Sequence, residues 1–392
     1  MATYLESFHC WGLGLKEQNQ DGSSVNYPVT AMIMARGTDF EPNTEFETDD
    51  YEGHSGTKTL VLQSDRKTIT SEPEYEQGVV FGECQEEYWF LTLGNYERTV
   101  AGTDADLTPE QIASDTEMAV QWVFNQDLEN PKPLPRCTLT NQYMMTKRDA
   151  VVFDDCMMNE FGISADNDGI SCNPRFKSSA PYMNQPNQTI NTAPVLNKLG
   201  KDDIRVYIIG MDVDFDSLTE EQKLALQYDC IMSLEMNFNN NIEDSECLNT
   251  EFGKNSGDEG KFEGDGNFEL KWNPTSAFLI DEYYGGAKHS VKPTTEPLFR
   301  QVIVEMYGKT IGETNYRNMI RIRLPKVEIT NAESGMSGDE TKTLEVEYAI
   351  RENGYVSPVE TTIVSNLKEL HYGEELTIDE SKVGYANIDI DI

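Results

Sequence analysis

The chain has 392 residues, of which 38% are hydrophobic and 10% aromatic, so it can form a core and is not expected to be disordered. Its 69 acidic and 31 basic residues give a net charge of -38, which excludes the basic stripe that binds nucleic acid phosphates. A halophilic or marine host, a cation-binding protein, and a surface past which DNA must move without sticking would each explain this acidity. The length suggests roughly two or three structural units, or one domain with large insertions.

The cysteines and the N-terminal residues predict a protein that is made and used in the cytoplasm, or exported only as part of a larger particle. The seven cysteines form no C-x-x-C pair, so free thiols in a reducing compartment are expected, mostly as small core residues. No basic start followed by an apolar run marks a signal peptide. No apolar run approaches the ~18 residues of a membrane helix, so no membrane partner is expected.

The first part of the chain is predicted to form strands. An apolar run within residues 25–36 predicts one strand, and residues 59–63 begin another. Residues 39–50 alternate apolar or threonine side chains with carboxylates, a period of two that is typical of a strand with one buried face. Residues 72–76 repeat this alternation of acids, so both segments are predicted to be strands with an acidic face.

Two helices and a linker are predicted next. Residues 82–94 carry apolar side chains at helical spacing and end at Gly94, a suitable C-terminal stop. Thr108-Pro109-Glu110 has the signals of a helix start, so a second helix is expected from there into the region of Val120. The proline-rich stretch 127–136 is expected to connect two subdomains.

The second half returns to strands. Residues 161–172 predict a β-hairpin whose turn is closed by Gly169, and a capping box predicts a short helix at 217–222. Two polar segments, 177–203 and 239–266, are expected to be long loops. Apolar runs predict strands at 229–238, 267–272, 300–307, 317–324 and 343–350.

No motif carries recognisable catalysis. Asp166-Asn167-Asp168-Gly169 resembles the core of a calcium loop, but Ser164 and Arg175 occupy the positions where that loop needs acids, so a turn is expected. The four histidines share no metal-ligand spacing, and no nucleophile elbow, P-loop or dinucleotide motif is present. We therefore predict no catalytic residue, no metal site and no cofactor.

The alternating acids support a sharper hypothesis. A solvated strand face is the plain explanation, while the alternative is a channel wall that must not bind DNA. The candidate residues for that wall, which would face the lumen, are Asp39, Glu41, Glu45, Glu47, Asp49, Glu72, Glu74 and Glu76.

In outline, the chain resembles the tail tube proteins of long-tailed bacteriophages. The likeness covers most of the chain, with 100–150, 177–203 and 239–266 departing from it as insertions. In the N-terminal part, the likeness lies in Trp11-Gly12-Leu13-Gly14-Leu15-Lys16-Glu17 before Tyr27-Pro28, in Glu52-Gly53-His54-Ser55-Gly56-Thr57-Lys58, and in Leu91-Thr92-Leu93-Gly94. In the centre it lies in Ile231-Met232-Ser233-Leu234-Glu235-Met236-Asn237. In the C-terminal part it lies in Arg321-Ile322-Arg323-Leu324-Pro325-Lys326-Val327-Glu328, followed by Gly338-Asp339 and the strand at 343–350.

This resemblance implies a mainly β protein, a β-sandwich or barrel with a few inserted α-helices. Residues 1–100 and 151–372 would form the tube domain, 101–150 a helical, proline-rich insertion, and 373–392 an acidic extension that packs on a neighbour. Six copies would close a ring, and rings would stack into the tube of a virion tail assembled in the host cytoplasm. Its partners would be further copies, the tape measure, baseplate or tail-tip and terminator proteins, and DNA passing through the lumen without specific binding.

Two other classes of protein remain open from the sequence. A β-sandwich adhesin, receptor-binding module or capsid decoration protein on the virion surface would explain the strands and the long polar loops equally well. A hydrolytic enzyme from a halophile would explain the acidity. Glycan or host-cell binding would favour the first, and a turnover activity lost on substitution of a histidine would favour the second.

Overall fold

Strands dominate the part of the chain that the computed structural model describes. That part comprises residues 9–17, 31–35, 37–41, 44–55, 58–78, 80–81, 85–101, 119–143, 148–166, 169–178, 182–186, 189–191, 197–199, 204–228, 230–246, 254–284, 297–311, 315–335 and 342–372. The expectation of a mainly β protein with a few helices is confirmed. None of the helices in these ranges is long and apolar enough to cross a membrane.

The elements follow one another in this order. The first twelve strands are β1 (His9–Leu15), β2 (Ala31–Ala35), β3 (Gly37–Glu41), β4 (Thr44–Ser55), β5 (Lys58–Ser71), β6 (Glu74–Gly78), β7 (Val80–Phe81), β8 (Asn95–Ala101), β9 (Ala119–Asn125), β10 (Cys137–Tyr143), β11 (Arg148–Ala165) and β12 (Ile170–Lys177). The others are β13 (Tyr182–Pro186), β14 (Thr189–Asn191), β15 (Asn197–Lys198), β16 (Ile204–Ile209), β17 (Ile231–Asn239), β18 (Glu243–Glu246), β19 (Lys254–Asp258), β20 (Glu263–Lys271), β21 (Leu298–Thr310), β22 (Arg317–Gly335), β23 (Thr343–Ile350) and β24 (Glu360–Ser365). The helices are α1 (Gln85–Leu93), α2 (Glu220–Leu226) and α3 (Pro274–Tyr283).

One large, almost wholly antiparallel sheet organises the fold. Its central run of neighbouring strands is β3-β6-β12-β11-β17-β20-β23-β22-β21-β16. Two long strands extend it: the first half of β11 pairs with β10 and β13, and the first half of β22 pairs with β24, which leads to β9 and β8. Each long strand therefore belongs to two parts of the sheet.

Helix α1 fills the space between these parts. It packs against β11 and β9, and nearly all of its side chains are buried. The ring of Trp89 lies 5.1 Å from that of Phe161 and 5.4 Å from that of Phe238. Truncating so large a buried side chain costs about 3–5 kcal/mol, so α1 is a major contributor to the core. Gly94 ends the helix with φ +82, as the sequence predicted.

Other predictions from the sequence were also confirmed. The hairpin joins β11 to β12, and the short helix α2 begins with a full capping box between Thr219 and Gln222. The five strands predicted in the second half are β17, β20, β21, β22 and β23, although most are longer than predicted.

Several predictions were wrong. Residues 39–50 are divided between β3 and β4, which belong to different sheets, and Val120 lies in β9 rather than in a helix. The expected loops contain short strands: β13, β14 and β15 within 177–203, and β18 and β19 within 239–266. Such strands have Asn, Ser and acid-rich sequences, and pairing with neighbours overrides their weak propensity. The predicted helix at 108–118 and the extension at 373–392 lie outside the described residues.

Candidate functional site

The most unusual feature of the fold is an acidic, exposed face on the central sheet. Along β17, β20, β23 and the second half of β22, apolar side chains point into the core and polar side chains point outward. We call the outward carboxylates on β17, β20, β23 and residues 331–335 of β22 the acidic sheet face. They are Glu235, Glu263, Asp265, Glu269, Glu333, Glu345 and Glu347.

Strand register places like charges directly opposite one another on this face. Glu269 on β20 is opposite Glu345 on β23, and Glu345 is opposite Glu333 on β22. Carboxylates at directly opposite positions repel one another and destabilise the strand pair. This row of three acids therefore works against the stability of the folded chain.

Amides moderate the charge in the next row. Glu235, Asn267, Glu347 and Asn331 occupy successive opposite positions across the same four strands. The Asn267 amide donates a hydrogen bond to Glu235 at 3.1 Å. Alternation of acid and amide keeps the row polar and negative while separating its two carboxylates.

The basic residues near this face neutralise its border and not its centre. Arg175 bridges Glu74 and Glu160 on one side, and Arg351 pairs with Glu328 on the other. Glu263 forms an ion pair with Lys261, at 3.5 Å between two exposed side chains. Within the described ranges, the six other carboxylates of the acidic sheet face form no ion pair, so the centre of the face carries uncompensated negative charge.

A glycine on the inward side of the sheet makes this strand pairing sterically possible. Gly266 points inward, where an added Cβ would lie 2.3 Å from the Tyr348 hydroxyl and 2.3 Å from the Glu235 backbone oxygen. Tyr348 in turn stacks on Phe268 with ring centroids 5.0 Å apart. The aromatic pair thus fills the space over the glycine and fixes the position of the acids on the other side.

The acids proposed from sequence fall into two groups. Asp39 is opposite Glu76 and Glu41 is opposite Glu74 in the pair β3–β6, which belongs to the same sheet as the acidic sheet face. Glu72 precedes β6 and pairs with Lys177 at 3.7 Å. Glu45, Glu47 and Asp49 lie on β4, which pairs with β5 as a separate two-stranded sheet, so the structure does not bring them together with the others.

Most of the acidic sheet face was missed by sequence reasoning. Glu345 and Glu347 alternate with apolar residues in the sequence, but the acids predicted to face a lumen all lie within residues 39–76. Asp265 was assigned to the loop 239–266 and Glu269 was not selected, because glycines stand at the inward positions 264 and 266, where the pattern expects apolar side chains. Counting glycine as an inward residue would have revealed the alternation in β20.

A second group of acids is fully buried on α1. Glu86 and Glu87 are 0% exposed, and each has one carboxylate oxygen without a hydrogen-bond partner. Ser365 donates to Glu86 at 2.5 Å, and the His371 backbone N–H donates to Glu87 at 3.1 Å. Burial and the neighbouring charge of Glu87 raise the pKa of Glu86 to about 7.

His371 completes this buried cluster. Burial acts to lower its pKa, but the 3.0 Å contact with Glu87 and the charges of Glu87 and Glu86 outweigh that effect, so the pKa is raised. The cluster attaches the segment after β24 to helix α1. Its geometry indicates a structural attachment, because the backbone carbonyl of His371 also accepts a hydrogen bond from the backbone N–H of Leu15.

A polar cleft lies on another part of the surface. Hollows of about 550 and 180 Å³ flank the segment 126–128. Tyr355, 79% exposed, stands at the edge of the larger one. Side chains that line the larger hollow include Asn95, Asn125, Gln126, Gln301, Arg323 and Asn353.

In the described ranges, no three His, Cys, Asp or Glu side chains converge as metal ligands. Neither a protein-family model nor a curated protein matches the chain. The function is therefore inferred from the fold and from the distribution of charge.

Proposed function

We propose that this chain is a structural virion protein whose copies form the rings of a phage tail tube, with the acidic sheet face lining the channel. The observation that carries the proposal is the row Glu269–Glu345–Glu333, three carboxylates at directly opposite positions without ion-pair partners in the described ranges. A protein retains an arrangement that disfavours its own fold mainly where function requires it.

An uncompensated acidic wall suits the passage of DNA. The phosphate backbone is densely negative, and cationic side chains bind it by releasing counterions. A channel lined by arginine or lysine would therefore hold the genome, whereas carboxylates repel it. Asparagines among the acids keep the wall wetted without adding positive charge.

Sheet edges support assembly from several copies. In the described part of the chain, β3 and β8 each pair with a single neighbouring strand and so stand at edges of the sheet. Unpaired edges favour pairing with another chain, and closure of several subunits into a barrel removes them. Six copies per ring, stacked rings, and the tape measure, tail-tip or baseplate and terminator proteins as partners are parts of this proposal.

Negative-stain microscopy tests the proposal. Purified full-length protein would be imaged over a range of concentration and NaCl, since salt screens repulsion between acidic subunits. We expect rings or tubes that become more abundant with both. Monomers under all conditions, together with native particles whose tails lack this chain, would overturn the proposal.

The polar cleft favours a second candidate function, a surface-binding protein of the virion. Amide side chains together with an exposed aromatic ring, here Tyr355, are suited to contacts with sugar hydroxyls and ring faces. Binding to a panel of defined host-surface oligosaccharides, lost in Tyr355→Ala and kept in Tyr284→Ala, would favour it. A tube subunit is expected to bind none of them.

A further inference from the structure

Two buried cysteines lie face to face in the antiparallel pair β10–β11. Cys137, the first residue of β10, is directly opposite Cys156, and both are 0% exposed free thiols. Residues directly opposite in such a ladder have Cα atoms about 4.5–5.5 Å apart. That spacing lies within the ~4.4–6.8 Å that a disulfide spans, so a bond between them needs no backbone rearrangement.

A β-bulge brings the two residues into register. Between the pairs Leu139–Phe153 and Cys137–Cys156, β11 contains one more residue than β10. Asp155 takes up the extra residue with φ +56, a left-handed conformation unusual for a non-glycine residue. The pairing is therefore restored at Cys156, which lies directly opposite Cys137.

Ion pairs hold this bulge in place. Lys16, only 3% exposed, contacts Asp154 at 2.6 Å and Asp155 at 3.3 Å, and Arg136 contacts Asp155 at 2.5 Å. Burial acts to lower the pKa of Lys16, but the two carboxylates outweigh it and the pKa is raised, so the lysine stays charged. The positions of both cysteines are thus fixed by charged neighbours on either strand.

We propose that Cys137 and Cys156 are a redox modification site, converted by thiol–disulfide exchange with a low-molecular-weight disulfide into a cross-strand disulfide between β10 and β11. One thiol loses its proton and attacks the disulfide, releasing one thiol of the reagent and leaving a mixed disulfide. The second cysteine then attacks that mixed disulfide and releases the other reagent thiol. Two protein thiols are oxidised and one reagent disulfide is reduced to two thiols.

Burial beneath β1 and the segment around His371 keeps the two cysteines reduced until these elements open locally. Burial, together with a hydrogen bond to Cys156, raises the pKa of the Cys137 thiol well above its usual value, so little reactive thiolate forms. Leu15 of β1 lies opposite Cys137 on its other side, and its amide donates to the His371 carbonyl at 2.9 Å. Oxidation therefore depends on local opening of β1 and the segment around His371, and is expected to be slow.

The other described thiols provide internal controls. Cys172 is buried and accepts a weak hydrogen bond from Gln85 at 3.6 Å, and Cys230 is partly exposed. Neither lies opposite another cysteine in the strand pairings of the described ranges. Exposure alone would oxidise Cys230 first, whereas the proposed pairing selects Cys137 and Cys156.

The test uses the full-length protein, reduced and then incubated with excess oxidised glutathione. Thiols are alkylated under denaturing conditions and disulfide-linked peptides are identified by mass spectrometry. Cys172→Ser is the background for mapping, because Cys156 and Cys172 share one tryptic peptide. We expect a loss of two alkylated thiols, a Cys137–Cys156 linked peptide, and a Tm roughly 4 °C above that of the reduced protein.

Variants decide between outcomes. Cys137→Ser and Cys156→Ser should abolish the linked peptide and the rise in Tm, while Cys230→Ser should leave both unchanged. Cys137→Ala and Cys156→Ala replace any serine variant that does not fold. A pair that stays reduced even in urea just below the unfolding transition, or oxidation directed to other cysteines, would overturn the proposal, whether or not the chain forms tubes.

Discussion

Glu269 on β20 lies directly opposite Glu345 on β23, with both side chains on the solvent side of the sheet. Glu333 continues the row on β22. This arrangement lowers the stability of the folded chain, and the effect can be measured.

Substitution of the central acid of the row should stabilise the protein. Glu345→Gln removes repulsion from both neighbours at once, so we expect the free energy of unfolding to rise by about 0.5–1 kcal/mol at low salt. Urea unfolding at low and high NaCl measures it, and the gain should shrink as salt screens the charges. Glu129→Gln, at an exposed position away from the sheet, is the matched control. An equal gain in the control would mean that net charge alone is responsible.

Filling the space beneath the acids should destabilise the fold. In Gly266→Ala the new methyl group would meet the Tyr348 hydroxyl and the Glu235 backbone, both 2.3 Å away. Because backbone cannot yield as a flexible side chain does, we expect a loss of about 1–3 kcal/mol by urea unfolding. A neutral result would show that β20 and β17 are spaced differently from the arrangement described.

The buried carboxylate on α1 should make stability fall as pH rises. The pKa of Glu86 is raised from 4.5 to about 7, so its contribution is complete below about pH 4.5 and is lost as the pH rises to 7. The raised pKa of His371 acts in the same direction, with its contribution lost as the pH rises from 6.5 through the folded-state value.

Glu86→Gln isolates this effect. The uncharged side chain keeps an oxygen that can accept a hydrogen bond from Ser365. The free energy of unfolding of the variant, relative to that of the native chain, should therefore increase by on the order of 3 kcal/mol between pH 4.5 and pH 7.5. Urea unfolding of both proteins at several pH values measures the difference, with Glu129→Gln as control. A difference that does not change with pH would contradict a buried, titrating Glu86.

If the acidic sheet face lines a DNA channel as proposed, reversal of its charge should slow the passage of DNA. Particles carrying Asp265→Lys and Glu347→Lys should still assemble, because both residues are exposed, but should release DNA more slowly, at a rate that rises with salt. Timed DNA release from purified particles measures this. Lys substitution at Glu129 is the control, and unchanged release in the double variant would separate this face from the channel.

How far the fold could be predicted depended on how local its signals are. Helix α1 was predicted because its spacing and the stop at Gly94 are local, yet the burial of Glu86 and Glu87 was not, since it depends on His371 almost 300 residues later. Helix α3 was missed although Asn273 and Pro274 mark its start and Ser276 completes a capping box.

The candidate site shows the same division. Alternation along a single strand predicts an acidic face, but register decides which acids become neighbours. Glu269, Glu333 and Glu345 come from three strands separated by long stretches of chain, so no local pattern could place them in one row. The break between β3 and β4 is marked in the sequence by the turn signal Pro42-Asn43, but the alternation of residues 39–50, which continues across it, favoured a single strand.

Image reconstruction of the native tail by electron cryomicroscopy tests the central claim most directly. It would locate the strand bearing Glu345 and Glu347 relative to the axis of the tube. We expect rings of this chain with the acidic sheet face on the channel wall. A tube in which this face lies outside or between subunits, or a tail built without this chain, would contradict the account.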